Sequence, residues 1–323
     1  MRLLFIRFSA IGDIVLASPA LRCAKQQIPG VEIHFLTKKS MKAVSEANPY
    51  VDRFHYFDKD LSATIQELKA CKFDYIIDLH KNLRTLRIRL ALGVPYLSYN
   101  KLSVEKFLLT KFQVNRMADR HISMRSVDTL APLGVSYDGK GLDYFVPSEV
   151  IQPVFFPEGY VALVIGASYA TKKLPLESLK VLCSQIPHPI VLVGGKEEVA
   201  DGEALALLDP TRIVNTCGAY SLHESALIVS KARLVISHDT GMLYIACAFE
   251  KNVIAIWGAT SPALQVEPFM PDDLKAQVFQ SIVPDLTCQP CSNFGTKTCP
   301  KGHFSCMKQQ DLPEIARQVE QMW

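Results

Sequence analysis

The run Leu234-Val235-Ile236-Ser237-His238-Asp239-Thr240-Gly241-Met242-Leu243-Tyr244-Ile245-Ala246-Cys247-Ala248-Phe249 changes period in its middle. Its β-branched apolar start breaks at Ser-His-Asp-Thr-Gly. Apolar residues then fall at Met242, Ile245, Ala246 and Phe249, the spacing of one helix face. The pattern predicts strand, tight turn and helix. In an α/β sheet such a turn lies at the carboxyl end of a strand, where free N–H groups and the positive end of the helix dipole attract an anion, typically a phosphate. Gly241 permits close approach to the backbone, and Thr240 and Asp239 offer side chains to a ligand. Asp and Thr are also common helix caps, so the pentapeptide by itself leaves capping and anion binding evenly matched.

The same alternation runs through both halves of the chain. In the first, Leu3 to Phe8, Val31 to Thr37, Phe54 to Phe57, Tyr75 to Leu79 and Tyr96 to Tyr99 read as strands, with helices such as Ile14 to Gln27 and Leu61 to Ala70 between them. In the second, Val161 to Ile165, Ile190 to Val193, Arg212 to Asn215, Leu234 to Ser237 and Val253 to Trp257 repeat the pattern. Strand and helix in alternation specify an α/β fold with parallel, doubly wound sheets. The pattern lapses around Pro147, Pro153 and Pro157, which places a domain boundary between residues 1–155 and 156–323. Two such halves predict a cleft between the carboxyl ends of their sheets. Thr287 to Met307 is cysteine-rich and irregular, and Leu312 to Trp323 reads as a closing helix.

At 323 residues the chain has room for two domains, and 49% hydrophobic with 21% charged residues is a globular composition. No apolar run approaches the ~18 residues of a membrane span, and the amino terminus is charged too early for a signal peptide, so a cytoplasmic location is expected. Cys23, Cys71, Cys183, Cys217 and Cys247 sit singly in apolar segments, as reduced core thiols do. Residues 1–155 hold 22 Lys and Arg against 15 Asp and Glu, a net +7, and the remainder is −4. The basic half points to an anionic partner. Its cations lack interleaved aromatics or a nucleic-acid motif, so no DNA or RNA binding is read.

Three further segments carry chemistry. Arg7-Phe8-Ser9-Ala10-Ile11-Gly12-Asp13 leaves Asp13 at the end of the first strand, where a carboxylate serves either as general base or as helix cap, with Gly12 permitting a sharp turn. Gly166-Ala167-Ser168-Tyr169-Ala170-Thr171-Lys172-Lys173-Leu174-Pro175 suits a phosphate, since an ammonium neutralises charge on a departing diphosphate. Gly194-Gly195-Lys196-Glu197-Glu198 closes the next strand, and either carboxylate could take the ribose hydroxyls of a nucleotide. Neither a Gly-x-Gly-x-x-Gly fingerprint nor a Walker loop is present.

With these segments in order, the chain resembles glycosyltransferase family nine, the heptosyltransferases of the lipopolysaccharide inner core. The match rests on Arg7 to Val15 with Ser18-Pro19-Ala20-Leu21; Gly166-Ala167-Ser168 with Thr171-Lys172 and Pro175; Gly218 with Ser221-Leu222 and Glu224; and Ser237 to Gly241 with Ile245-Ala246, then Trp257 to Pro262. The resemblance implies a GT-B fold of two facing Rossmann-like domains. It also implies inverting transfer of a sugar from a nucleotide diphosphate, usually ADP-heptose, with no cofactor and no metal at the reaction centre. By position, Asp13 resembles the catalytic base. Lys172 resembles the lysine on the donor phosphates, with Ser168 and Thr171 in the same loop. Thr240 and Gly241 resemble the diphosphate-binding turn, Asp239 a donor-sugar contact, and Glu197 or Glu198 the acidic nucleotide contact. The acceptor would be lipopolysaccharide core or lipid A, met through peripheral contact with the inner membrane face.

The chain departs from the family pattern at Leu174, where Trp is usual, at Met242-Leu243, and at Tyr244, where His is usual. A tyrosine in the donor site keeps a hydroxyl but carries no positive charge at neutral pH. These changes bear on which sugar is carried. The pattern Cys288-x2-Cys291-x7-Cys299-x6-Cys306, with His303, is compatible with a structural zinc. The second pair lacks the usual short spacing, and similar cysteines recur in relatives without an implied metal, which favours free thiols or a disulfide. Other readings are a different nucleotide sugar for another surface glycan, or a noncatalytic nucleotide- or glycan-binding module.

Overall fold

The computed structural model describes residues 1–323, apart from the side chain of Ala276. In the first half the strands are β1 (Arg2–Ile6), β2 (Glu32–Lys38), β3 (Arg53–Phe57), β4 (Tyr75–Asp78) and β5 (Tyr96–Ser98). In the second they are β6 (Val161–Val164), β7 (Ile190–Val193), β8 (Ile213–Asn215), β9 (Leu234–His238), β10 (Asn252–Ile256) and β11 (Val278–Ser281). Among the described residues they form two sheets, ordered β3-β2-β1-β4-β5 and β11-β10-β9-β6-β7-β8. All pairings are parallel. The central strands are apolar on both faces, Leu3 to Ile6 and Val161 to Val164 being buried throughout, because helices cover both sides of each sheet.

Each order reverses once. The chain proceeds from β1 to β2 and β3, then crosses to lay β4 on the other side of β1, and β6 and β9 repeat the device. Such reversals leave a crevice at the carboxyl ends of the two adjoining strands, where ligands bind in open α/β sheets. The loops after β1 and β4, and those after β6 and β9, are therefore the places where the topology gathers chemistry.

The division of the chain differs from the sequence expectation of 1–155 and 156–323. Met1–Lys101 with Arg120–Pro147 form one compact unit, and Leu102–Asp119 with Ser148–Trp323 the other. The helix Ser103–Phe112 thus belongs with the second unit, and Gln113 just after it donates its amide to the Pro290 carbonyl at 3.0 Å. A contact between residues so far apart in the chain has no local signature. The helix expected over Ile14 to Gln27 is two, Ile11–Leu16 and Ser18–Gln27, because Pro19 in the first turn of the second cannot continue a helical ladder. Gly12 lies inside the first of these, and extended Ala10 makes the turn instead. Strand β11 lies outside the sequence expectations, because it is a partly exposed edge strand of mixed composition. No helix among the described residues is long and apolar enough to cross a membrane.

The first unit closes on Arg22, which is 2% exposed. Its Nε and Nη2 hold the Asp138 carboxylate at 2.7 and 2.8 Å, Nη2 also donates to the Gly141 carbonyl at 2.9 Å, and Nη1 pairs with Asp143. This one side chain fastens the irregular stretch 138–143 to the helix Ser18–Gln27. Arg22→Met is expected to leave two carboxylates without their counter-ion and to lower stability by about 3–5 kcal/mol, read as a fall in the urea midpoint.

Candidate active site

At the reversal of the second sheet, Lys172 from the loop after β6 meets Asp239 from the loop after β9. Its Nζ lies 2.6 Å from Asp239 Oδ2 and donates to the Asp239 carbonyl at 2.9 Å. Thr260, in the loop after β10, donates to the same Oδ2 at 2.7 Å, and the Tyr244 hydroxyl reaches Oδ1 at 3.0 Å and the Val266 carbonyl at 2.8 Å. Asp239 is buried, and its carboxylate is engaged from three directions. Two of the three ammonium protons of Lys172 are used here, which leaves one for a ligand.

Neither Asp239 nor Thr240 caps the following helix, Gly241–Ala248. Thr240 occupies the cap position with extended backbone and makes no side-chain capping bond. The first-turn N–H groups of this helix therefore lack a capping side chain at the positive end of the helix dipole. An ammonium beside an uncapped helix start is an arrangement that attracts anions. His238, the last residue of β9, steadies it from below: its Nε2 accepts the Leu174 N–H at 3.0 Å, and burial, with Lys173 and Lys172 nearby, pushes its imidazole down to about 3, so it stays neutral.

The remaining second-unit candidates separate into exposed and committed groups. Ser168 is exposed in the loop after β6. The Thr171 hydroxyl is tied to Thr296, donating to its carbonyl at 2.9 Å and accepting its N–H at 2.7 Å. Glu198 is buried, paired with Lys173, and accepts the Gly195 N–H at 2.9 Å, whereas Glu197 is exposed. In the segment Gly218 to Glu224, Ser221 and Glu224 form a reciprocal capping box, so part of that motif is accounted for by helix initiation.

The cysteine-rich tail braces these loops. Gln289 Nε2 reaches the carbonyls of Trp257, Gly258 and Thr260 at 3.2, 2.6 and 3.1 Å, and the Cys291 N–H donates to the Ala259 carbonyl at 3.0 Å. Gly258 has no room for a side chain, since a Cβ would stand 2.3 Å from the Thr171 carbonyl oxygen. The thiols of Cys288, Cys291, Cys299 and Cys306 are all free. They gather closely enough that burial together with the neighbouring cysteines pushes Cys306 up to about 12, and Cys288 Sγ lies 3.8 Å from His303 Nε2. They are not drawn to the mutual spacing at which three would share one ion.

In the first unit the reversal lies between β1 and β4. Asp13 Oδ1 is 2.5 Å from Arg7 Nη2, and Oδ2 accepts the Ala10 N–H at 2.9 Å, so the carboxylate closes the helix start while facing outward, 29% of its side chain exposed. Arg7 is buried, donates to the Leu79 carbonyl and lies 3.2 Å from the Tyr99 hydroxyl. Burial disfavours the charged carboxylate. The charge and hydrogen bond of Arg7 outweigh it, with help from the Ala10 N–H and His80, and hold Asp13 below its usual value. His80 itself is pushed down to about 4 by burial, Arg7 and Lys101. Asp13 is thus ionised at neutral pH, ready to accept a proton. Arg7, His238 and Thr260 lie inside the sequence motifs with no role marked by their spacing, and His80 and Lys101 carry no local signal because their neighbours are distant in the chain.

Residues 61–300 match the sequence profile described as Glycosyltransferase family 9 (heptosyltransferase). The chain belongs to that family. Lipopolysaccharide heptosyltransferase 1 of Pseudomonas aeruginosa is 22% identical over 329 aligned residues, covering 93% of this chain and 87% of that one. The structure of a family 9 glycosyl transferase from Veillonella parvula superposes with a TM-score of 0.76 at 18% identity, over 99% of this chain and 96% of the other. Escherichia coli heptosyltransferase WaaC, solved with ADP, gives 0.71 at 18% identity over the whole of both chains. This family 9 glycosyltransferase accordingly has the GT-B type of fold, a Rossmann-like unit in each half.

The Arg7 pairing sets a pH expectation. Because the folded value of Asp13 is depressed, the acid limb of transfer that reports its protonation should lie below the ordinary Asp range of about 3.9. Any stability the pair adds is complete above about pH 4 and disappears as pH falls through the depressed value. In Arg7→Met burial acts with far less opposition, so the limb should move upward in a pH profile of kcat/KM. An unmoved limb removes Arg7 as the cause.

Proposed function

We propose that this glycosyltransferase transfers a heptose from ADP-heptose to a lipopolysaccharide inner-core acceptor, with inversion and without a metal at the reaction centre. The observation that carries the reading is Lys172, held by Asp239 beside the uncapped start of the helix Gly241–Ala248. That combination of an ammonium and convergent N–H groups suits a diphosphate leaving group, the charge a divalent ion would otherwise offset. The Pseudomonas aeruginosa relative acts on lipopolysaccharide by its name, and the Escherichia coli one was solved with ADP, which supports both substrates.

In the proposed step the Asp13 carboxylate accepts the proton of an acceptor hydroxyl as that oxygen forms a bond to the anomeric carbon. The bond from this carbon to the diphosphate oxygen breaks, and its electron pair leaves on the diphosphate, met by Lys172 and the N–H groups of Thr240, Gly241 and Met242. One displacement inverts the carbon. Exposed Glu197 is assigned to the ribose hydroxyls, since Glu198 is committed to Lys173. Ser168 is assigned to the phosphates and Tyr244 to the sugar end, through Asp239.

Two features of the first unit support an anionic acceptor at a membrane surface. An open depression of about 550 Å³ is lined by Lys38, Lys39, Lys59, Arg84 and Arg87, a setting for phosphates on core sugars or lipid A. The helix Leu83–Leu92 exposes Leu83 and Leu90 beside those arginines, an apolar and cationic face fit for peripheral contact with the cytoplasmic side of the inner membrane.

Asp13→Asn should bind ADP-heptose with unchanged affinity and lose about 10²–10⁴-fold in turnover. An undiminished rate removes the base. Lys172→Ala should weaken ADP binding and slow transfer by about 10²–10³-fold. Purified enzyme offered a panel of nucleotide sugars should turn over ADP-heptose fastest; preference for another sugar would keep the chemistry and replace the donor.

A further inference from the structure

The first sheet carries a second polar cluster toward its amino-terminal edge, away from Asp13, which the transfer chemistry does not use. His34 on β2 and His55 on β3 are buried, their rings stacked with centroids 5.0 Å apart. The outer nitrogen of each ring is held by a carboxylate: His34 Nε2 lies 2.8 Å from Glu32 Oε1, and His55 Nδ1 lies 2.5 Å from Glu67 Oε1. The inner nitrogens, His34 Nδ1 and His55 Nε2, face each other at 2.8 Å. Cys71, at the end of the helix Leu61–Ala70, completes the group. Among the described residues, these three are the set whose ligand atoms all lie within 4.8 Å of one another.

Proton counting gives the cluster its meaning. Glu32 also takes the Arg2 guanidinium, whose Nε donates to its Oε2 at 2.7 Å, and its Oε1 accepts from His34 Nε2. With Glu67 likewise accepting from His55 Nδ1, both inner nitrogens present lone pairs to each other. That contact closes only around a cation, either a proton or a metal ion. Histidines whose far nitrogens are anchored by carboxylates are the usual support for metal ligation. An open depression of about 250 Å³, lined by Arg2, Glu32, Arg53 and Cys71, leads to the site.

We infer that His34 Nδ1, His55 Nε2 and Cys71 Sγ bind a divalent cation of the zinc class, with the fourth position open to the depression. Two imidazoles and one thiolate are a borderline-soft donor set that selects zinc or cobalt over magnesium or calcium. The rings must part by about 0.5 Å from their present contact to admit ligand bonds of ~2.0–2.1 Å. Binding displaces the proton between the rings and the thiol proton of Cys71, and both go to solvent. The ion staples β2, β3 and the end of the helix that follows β3, a structural role independent of the proposed transfer reaction.

The test uses the full chain carrying Cys288→Ser and Cys291→Ser, so that tail thiols do not compete, with Co²⁺ as the probe. One equivalent should bind with a thiolate-to-cobalt charge-transfer band and be displaced by Zn²⁺. Cys71→Ser should abolish the band. His34→Gln or His55→Gln should weaken binding more than Glu67→Gln, itself expected to cost about 10–100-fold. Folded protein, judged by circular dichroism, that takes up no Co²⁺ overturns the site and leaves a proton-bridged pair. A band that survives Cys71→Ser, or affinity unaltered in both histidine variants, overturns it equally. If the background variant does not fold, the same comparison in the native chain decides: loss of one bound equivalent on Cys71→Ser supports the site and no loss overturns it.

Discussion

The Asp239 carboxylate is the constraint on which the second unit depends. A buried carboxylate is tolerated only when its oxygens are paired, and breaking such a pairing leaves an uncompensated charge. Lys172, Thr260 and Tyr244 come from the loops after β6 and β10 and from the helix after β9. Satisfying one carboxylate therefore fixes three separate segments against each other. The ammonium is positioned by that fit before any ligand arrives, which is the preorganisation that electrostatic catalysis requires.

The two units use one device with opposite outcomes. Each places a cation from the loop after its first strand against an acid at the reversal of strand order. In the first unit the cation is the buried partner, Arg7 at 9% side-chain exposure against 29% for Asp13. In the second the acid is the more deeply buried, Asp239 at 8% against 14% for Lys172. Which partner faces outward decides the chemistry: an outward carboxylate accepts protons, and an outward ammonium meets anions. The same topology thus supplies groups suited to the two ends of a transfer reaction.

Much of this was legible in the sequence, for a physical reason. Parallel strands covered on both faces must be continuous apolar runs, so Val161–Val164, Ile190–Val193 and Leu234–His238 stood out, as did the change of period at Gly241. The glycines, small residues and charged groups after those runs marked the carboxyl ends. What could not be read was pairing across the chain. Thr171 binds Thr296, Lys173 binds Glu198, and Gln113 binds Pro290, each through groups that look like ordinary surface residues locally. The split of Ile14 to Gln27 at Pro19 was legible in principle, since proline removes a ladder donor.

The tail brace has a consequence for the order in which the protein matures on the ribosome. Thr171 waits for Thr296, the carbonyls of Trp257 to Thr260 wait for Gln289, and Trp257 also receives the Gln310 amide at 2.9 Å. The loops after β6 and β10 are synthesised before the residues that lock them. Domains otherwise settle as they emerge, the amino-terminal one first. Here the loops of the second unit lack these fastenings until residues 289–310 have been made.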